Sequence, residues 1–168
     1  MKQPVYGLVG RGRLASHLAR YLELESIDFC TWDRGMDREP SGTLQRADVI
    51  LLAISDDALE PFVDENPGFG ERLFVHFSGC RVIDGLHGLH PLMTFGPEQY
   101  ELETYRAIPF VTEQGSATFD EVFPTLPNPS WPIARESKPL YHAVCVMAGN
   151  FPMMLWNRSI ELLEDRLG

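Results

Sequence analysis

The hydrophobic pattern alternates between short apolar runs and longer amphipathic stretches. Apolar runs at Val5–Val9, Ile27–Trp32, Val49–Ile54, Leu73–Phe77, a short one around Leu89, and Ile108–Thr112 predict six strands. The run Val49-Ile50-Leu51-Leu52-Ala53-Ile54 has no polar alternation, as expected of a central parallel strand covered on both faces. Between the strands, helical spacing of apolar residues predicts helices over Leu14–Leu24, Leu59–Glu65 and Ala117–Phe123. Ser116 is the expected N-cap of the third, and Pro61 places the start of the second near Glu60. Strands alternating with helices predict an α/β fold, a Rossmann-like, doubly wound, mostly parallel sheet.

Between Trp32 and Val49 the chain is charged and glycine-containing, with one turn expected at Gly42–Arg46. A parallel crossover needs about a dozen residues, so any helix there is vestigial or absent. Pro124, Pro127, Pro129 and Pro132 exclude a helix and read as a linker. From Lys138 to Leu167 one long C-terminal helix is expected, with Pro139 in its first turn and a stripe of Tyr141, Cys145, Ala148, Leu155 and Leu162. If continuous it is roughly 45 Å long at 1.5 Å per residue, with Pro152 as a kink point. The expected division is a dinucleotide-binding domain over 1–136 and the helix over 137–168. Phe151, Met153, Met154, Leu155 and Trp156 require cover, part from the first domain and part from a second chain, so a homodimer through this helix is expected.

The first strand runs directly into Gly10-Arg11-Gly12-Arg13-Leu14-Ala15, a G-x-G-x-x-A turn followed by Leu14, Leu18, Tyr21 and Leu22 at helical spacing. In a dinucleotide-binding reading Gly10 makes the tight turn, Gly12 admits the pyrophosphate, and Ala15 lets the helix pack close to the strand. The phosphates would sit on unpaired N–H groups at the helix start. A strand–helix turn without a ligand is the alternative. Downstream, Trp32-Asp33-Arg34 ends the second strand. An acid there favours the ribose hydroxyl of NAD and an arginine the 2′-phosphate of NADP; Arg11, Arg34 and Arg38 tip the balance to NADP.

Composition narrows the functions. The 168 residues, 44% hydrophobic, suit one domain of ordinary size. A formal net charge of −10 argues against a nucleic-acid or anionic-membrane surface, although Arg11, Arg13, Arg20, Arg34 and Arg38 cluster around the expected nucleotide. No charged leader followed by an apolar stretch and no membrane-length apolar run is visible, so a cytoplasmic location is expected. Cys30, Cys80 and Cys145 are odd in number and far apart, which fits buried thiols rather than a disulfide framework.

Other chemistry-bearing residues lie at predicted strand ends. Ser55-Asp56-Asp57 follows the central strand and reads as a ligand contact or as a helix cap. Ser78-Gly79 ends the next strand at the expected cleft, whereas His76 reads equally as an interior histidine. The set His76, Cys80, His87 and His90 has poor metal spacing, since His87 and His90 would point to opposite faces of one strand; no metal is expected. His90, before Pro91, is the candidate for proton exchange or substrate hydrogen bonding, against a structural loop histidine. Tyr141, His142 and Asn150 are the polar exceptions on the last helix. His142 and Asn150 stand about 80° and 12 Å apart on an ideal helix, so both can border one wide cleft.

These motifs occur in one order: G-x-x-G-x-G-R-x-A from Gly7, Ala47 to Asp57, His76-Phe77-Ser78-Gly79, Leu89 to Phe95, and Tyr141-His142-Ala143 with Asn150-Phe151. In this the chain resembles Rossmann-like NAD(P)-dependent oxidoreductases of the 6-phosphogluconate dehydrogenase-like superfamily. Their N-terminal domain is similar to those of pyrroline-5-carboxylate reductase, ketopantoate reductase and prephenate dehydrogenase. The resemblance implies a nicotinamide dinucleotide held by Gly7, Gly10, Arg11, Gly12, Arg13, Leu14 and Ala15, by Asp33 and Arg34, and by Ser55, Asp56, Ser78 and Gly79. It also implies that His90 binds the substrate hydroxyl, with Ser78 and Asn150 as polar supports, in hydride transfer to a small keto/hydroxy or imino/amino acid. A non-catalytic dinucleotide-binding sensor or partner-binding module is the alternative. Two departures bear on this choice. The crossover after Arg34 is short, which alters the adenine pocket. One helix stands where such proteins continue into a bundle, so either a second subunit completes the cleft or turnover is lost.

Overall fold

The computed structural model describes residues 3–167. Its centre is a seven-stranded sheet in the order β2-β1-β3-β4-β5-β6-β7. The strands are β1 (Tyr6–Val9), β2 (Phe29–Trp32), β3 (Val49–Leu52), β4 (Leu73–His76), β5 (His87–Pro91), β6 (Phe110–Glu113) and β7 (Ser130–Ile133). The pairings from β2 to β5 are parallel, β5 and β6 are antiparallel, and β6 and β7 are parallel. The sheet is therefore doubly wound and mostly parallel, as the apolar pattern predicts.

Alternation along the central strands divides the core between the two faces of the sheet. Tyr6, Leu8, Val49, Leu51 and Val75 join one buried cluster, and Val9, Ile50, Leu52 and Phe74 the other. Helix α1 (Arg13–Leu24) buries Ala15, His17, Leu18, Tyr21 and Leu22 on the first face. His17 is a polar member of that stripe. Its ring bonds the Tyr105 hydroxyl at 2.9 Å and the Gly96 carbonyl at 3.0 Å, which ties the loop after β5 onto α1.

The crossover from β2 to β3 contains only α2 (Pro40–Thr43), a single turn, as its length requires. Helix α3 (Leu59–Glu65) carries Pro61 in its first turn. Three regions differ from the sequence reading. Helix α4 (Leu102–Ala107) was not predicted, its six residues being too few to show a period. Helix α5 spans Phe119–Val122, and its cap is Thr118 in a reciprocal capping box with Glu121, not Ser116. Ser116 instead bonds the His87 ring at 2.7 Å. The proline-rich stretch is not merely a linker, because Ser130–Ile133 forms β7. That strand lies at the sheet edge, where Pro132 needs to supply no ladder donor on its open side.

Helix α6 runs unbroken from Lys138 to Leu167, with Pro152 inside it. Its first turns lie on the domain. Beyond them Phe151, Met154, Leu155 and Trp156 are all at least half exposed, with Leu155 at 68%.

Candidate functional site

The chain reverses direction across the sheet at β1. Strand β2 follows on one side, whereas β3 and its successors lie on the other. At such a switch point the loops leaving the strands diverge and open a crevice. Here the loops after β1, β2 and β3 line a cavity of about 550 Å³ that includes Gly10, Arg11, Gly12, Arg34, Gly35 and Ser55. A second cavity of about 520 Å³ shares Val9, Trp32, Arg34 and Ile54 with it and continues to Pro40, Pro61 and Phe62.

The glycines of the turn have different duties. Gly10 has φ +124°, and a Cβ there would overlap the Ala53 carbonyl oxygen of the neighbouring strand, so only glycine fits. Gly12 is the N-cap of α1 with φ −72°, and no atom lies within 4 Å of the Cβ it lacks. Its side is open space at a helix N-terminus, where N–H groups are unpaired. Gly7 belongs elsewhere. Its missing Cβ would lie 2.9 Å from Ala47 and Ile50 side chains inside the core, so its place is in strand packing rather than against a nucleotide. Ala15 is likewise buried under the sheet, in the helix-packing role expected of it.

Asp33 and Arg34 both line the first cavity. One Asp33 carboxylate oxygen accepts the Gly35 N–H at 2.7 Å, so part of its acceptor capacity is used within its own turn. Arg34 borders both cavities, and its side chain makes no ion pair among the described residues. Arg38 lines neither; its carbonyl accepts the Trp32 indole N–H at 2.7 Å.

Asp56 is directed away from this crevice toward the end of β4. Its carboxylate accepts the Ser78 hydroxyl at 2.8 Å and the Cys80 thiol at 3.4 Å. The Ser78 oxygen also accepts the Arg81 N–H at 3.0 Å. Ser78 thus ties the turn after β4 to the turn after β3. Gly79 lies beneath His142, whose ring occupies the space a Cβ would need.

The loop after β5 and the first turns of α6 enclose a cleft of about 710 Å³ that includes His90, Thr94, His142, Cys145 and Asn150. Sequence reading placed His90, Ser78 and Asn150 at one site, and the fold brings His90 and Asn150 to one cavity. Ser78 is not in its wall. Asn150 accepts the Thr94 hydroxyl at 3.3 Å. His90 Nδ1 is 2.9 Å from the Tyr141 hydroxyl, and its ring meets that of His142 edge-on with centroids 5.4 Å apart. Burial pulls the His90 imidazole down to about 4, with His142 and Lys138 adding to the effect. At neutral pH the ring is uncharged.

Beneath the cleft lies a charged cluster that the sequence reading missed. Lys138 and Glu113 are buried and 2.5 Å apart, and Arg135 Nε is 3.4 Å from the other Glu113 oxygen. His76, fully buried, has Nε2 3.8 Å from Glu113 and neither ring nitrogen hydrogen-bonded. Burial pulls His76 down to about 3, with Lys138 the next cause. A lysine as the first residue of a helix opposes the helix dipole, but nothing in the sequence pairs it with Glu113. His87 and His90 engage different elements, Ser116 and Tyr141 respectively, as their odd spacing on one strand requires.

The sequence matches no family model and no curated protein. Solved structures are similar in fold. A Bacteroides fragilis protein provisionally assigned as an NADP oxidoreductase matches with TM-score 0.75 and 19% identity, over 97% of this chain and 73% of that one. Pyrroline carboxylate reductase of Plasmodium falciparum, solved with NADP bound, matches with TM-score 0.65 and 11% identity, over 98% and 71%. A ketol-acid reductoisomerase described as NADH-preferring, from an uncultured archaeon, gives 0.64 and 14% over 96% and 62%. At these identities the likeness is one of fold. The class is therefore defined at that level: the chain has the Rossmann-like α/β fold of NAD(P) oxidoreductases.

Proposed function

We propose that the chain binds a nicotinamide dinucleotide and supports hydride transfer with a small keto/hydroxy or imino/amino acid. The observation that carries the reading is the pair of adjoining cavities at the switch point, which, like the His90 cleft, lie at the C-terminal ends of the parallel strands. The residues fit such a cofactor. The open side of Gly12 leaves room for a pyrophosphate on the first N–H groups of α1, with Arg11, Arg13 and Leu14 beside it. Asp33, Arg34 and Ser55 line the same cavity, and the first two would hold an adenosine ribose. With Arg34 unpaired and Asp33 partly engaged, NADP is the favoured form, the 2′-phosphate pairing with the guanidinium.

When bound, the cofactor supplies or accepts the hydride at C4 of its nicotinamide. The chain's own residues bind and orient. His90, neutral and bordering the cleft, holds a hydrogen bond to the substrate's oxygen or nitrogen, and Asn150 and Thr94 offer further polar contacts. Ser78 and Asp56 act one step away, fixing the turn on which Gly79 and His142 meet. Helix α6 is a distinct element whose N-terminal half walls this cleft. Its exposed apolar side chains support a homodimer in which a second copy covers them. No helix among the described residues is long and apolar enough to cross a membrane, and the net charge of −10 disfavours nucleic acid.

NADPH oxidation with a panel of keto and imino acids tests the activity. His90→Asn is expected to lower turnover by about 10²–10⁴-fold, the range for a group acting on the reacting proton, while cofactor affinity stays near wild type. A variant that loses cofactor binding but keeps its rate when saturated would move His90 into the nucleotide site.

A further inference from the structure

Lys138 is anchored in an unusual way. It is the first residue of α6, is 1% exposed, and stands at the positive end of a helix, so burial and dipole both oppose its charge. Two groups hold it. Glu113, at the end of β6, takes Nζ at 2.5 Å, and the Arg81 carbonyl takes it at 2.7 Å. Gly88 on β5 makes the space, since a Cβ there would overlap both the Glu113 carboxylate and Lys138 Nζ. One buried point therefore joins β5, β6, the turn after β4 and the start of α6.

Two geometric consequences follow. Residues three and four beyond Lys138 share its side of the helix, and these are Tyr141 and His142. Two residues beyond Gly88 on the same face of β5 is His90. The anchor and the His90–Tyr141 contact are thus successive steps along two packed elements.

We propose that the Glu113–Lys138 pair is a positioning device for His90: it sets the rotation of α6 so that the Tyr141 hydroxyl donates to His90 Nδ1 and the ring proton stays on Nε2. Burial, with the Cys145 thiol beside it, raises the Tyr141 hydroxyl well above its ordinary range, so it keeps its proton and has one to donate to the His90 ring nitrogen 2.9 Å away. His90 Nε2 makes no hydrogen bond within the described residues and is not shut off from solvent. A neutral imidazole in that form offers an N–H to the substrate and does not abstract a proton. Lys138 and Glu113 act through Tyr141 and are positioning residues. The use of this N–H on a carbonyl or imine rests on the oxidoreductase reading; the proton's location does not.

The test is the protonation pattern of the His90 ring, read by long-range ¹H–¹⁵N correlation on the full chain without cofactor. Wild type is expected to show one neutral tautomer, protonated on Nε2. Tyr141→Phe removes the donor, and the double variant Lys138→Met with Glu113→Leu removes the anchor without leaving a lone buried charge. Both are expected to show averaged Nδ1 and Nε2 signals. Glu113→Gln keeps an oxygen acceptor for Nζ and is expected to retain the single tautomer. A wild-type proton on Nδ1, or an unchanged tautomer in a folded double variant, overturns the proposal. Because the readout needs neither cofactor nor turnover, either result is separable from failure of the hydride-transfer assay.

Discussion

Gly10→Ala and Gly12→Val separate the two duties of the glycine turn. At Gly10 the φ of +124° is a conformation that costs an L-residue about 1–3 kcal/mol. The added Cβ also meets the Ala53 carbonyl oxygen, which is backbone and not a side chain that can swing aside. Relief would strain two hydrogen bonds, Ala53 N–H to Val9 at 2.9 Å and Gly10 N–H to Trp32 at 2.8 Å. Overpacking of that kind costs a further 1–3 kcal/mol or so, for about 2–6 kcal/mol together. For a chain of this size that is a fall in Tm of about 4–24 °C. At Gly12 the φ is ordinary and the space empty, so Gly12→Val should cost about 1 kcal/mol or less, the difference between N-cap residues. Urea denaturation followed by far-UV circular dichroism measures both. A Gly10→Ala protein as stable as wild type, or a Gly12→Val protein as damaged as Gly10→Ala, would refute the reasoning.

Arg34→Ala should weaken NADPH by about 10–150-fold, the loss of one charge-assisted contact of about 1.5–3 kcal/mol, and leave NADH nearly unchanged; equal losses would remove the 2′-phosphate assignment. His76 and His90 are held below the ordinary 6.5, at about 3 and about 4, so the unfolded chain binds more protons than the folded one below that pH. Their contribution to stability is complete above pH 6.5 and is lost as pH falls, toward about 4 for His90 and about 3 for His76, by up to about 1.4 kcal/mol per unit for each ring. Urea midpoints at pH 7.5 and pH 5 read this, and His76→Gln should flatten the dependence; an identical slope would rule His76 out. Leu155→Glu with Leu162→Glu should turn a dimer into a 19.0 kDa monomer by light scattering. A wild-type monomer at micromolar concentration would remove the dimer altogether.

The crevice proposed for the nucleotide was legible as a strand–turn–helix unit because its signals are local. A strand, a glycine turn and a helix start are adjacent in sequence, and Val49–Ile54 announces its own burial. The His90 cleft was partly legible, since His90 and Asn150 were recognised as polar exceptions to apolar runs. The Glu113–Lys138 anchor was not, because it joins residues of β6 and α6 through a space left by Gly88, and no periodicity reports such a meeting. Gly7 was assigned to the nucleotide by motif position, but the side chains of Ala47 and Ile50 explain it. Strand β7 was hidden by its prolines, which an edge strand tolerates and a central one does not. Asp56 and Ser78 were read as separate ligand contacts, whereas a 2.8 Å hydrogen bond makes them one structural unit.

Isothermal titration of NADPH into wild type and Gly12→Val tests the central claim most directly. The account predicts one binding site per chain in wild type and no measurable binding in the variant, with both proteins equally folded. Absence of binding to wild type, or equal affinity in the two proteins, would contradict it.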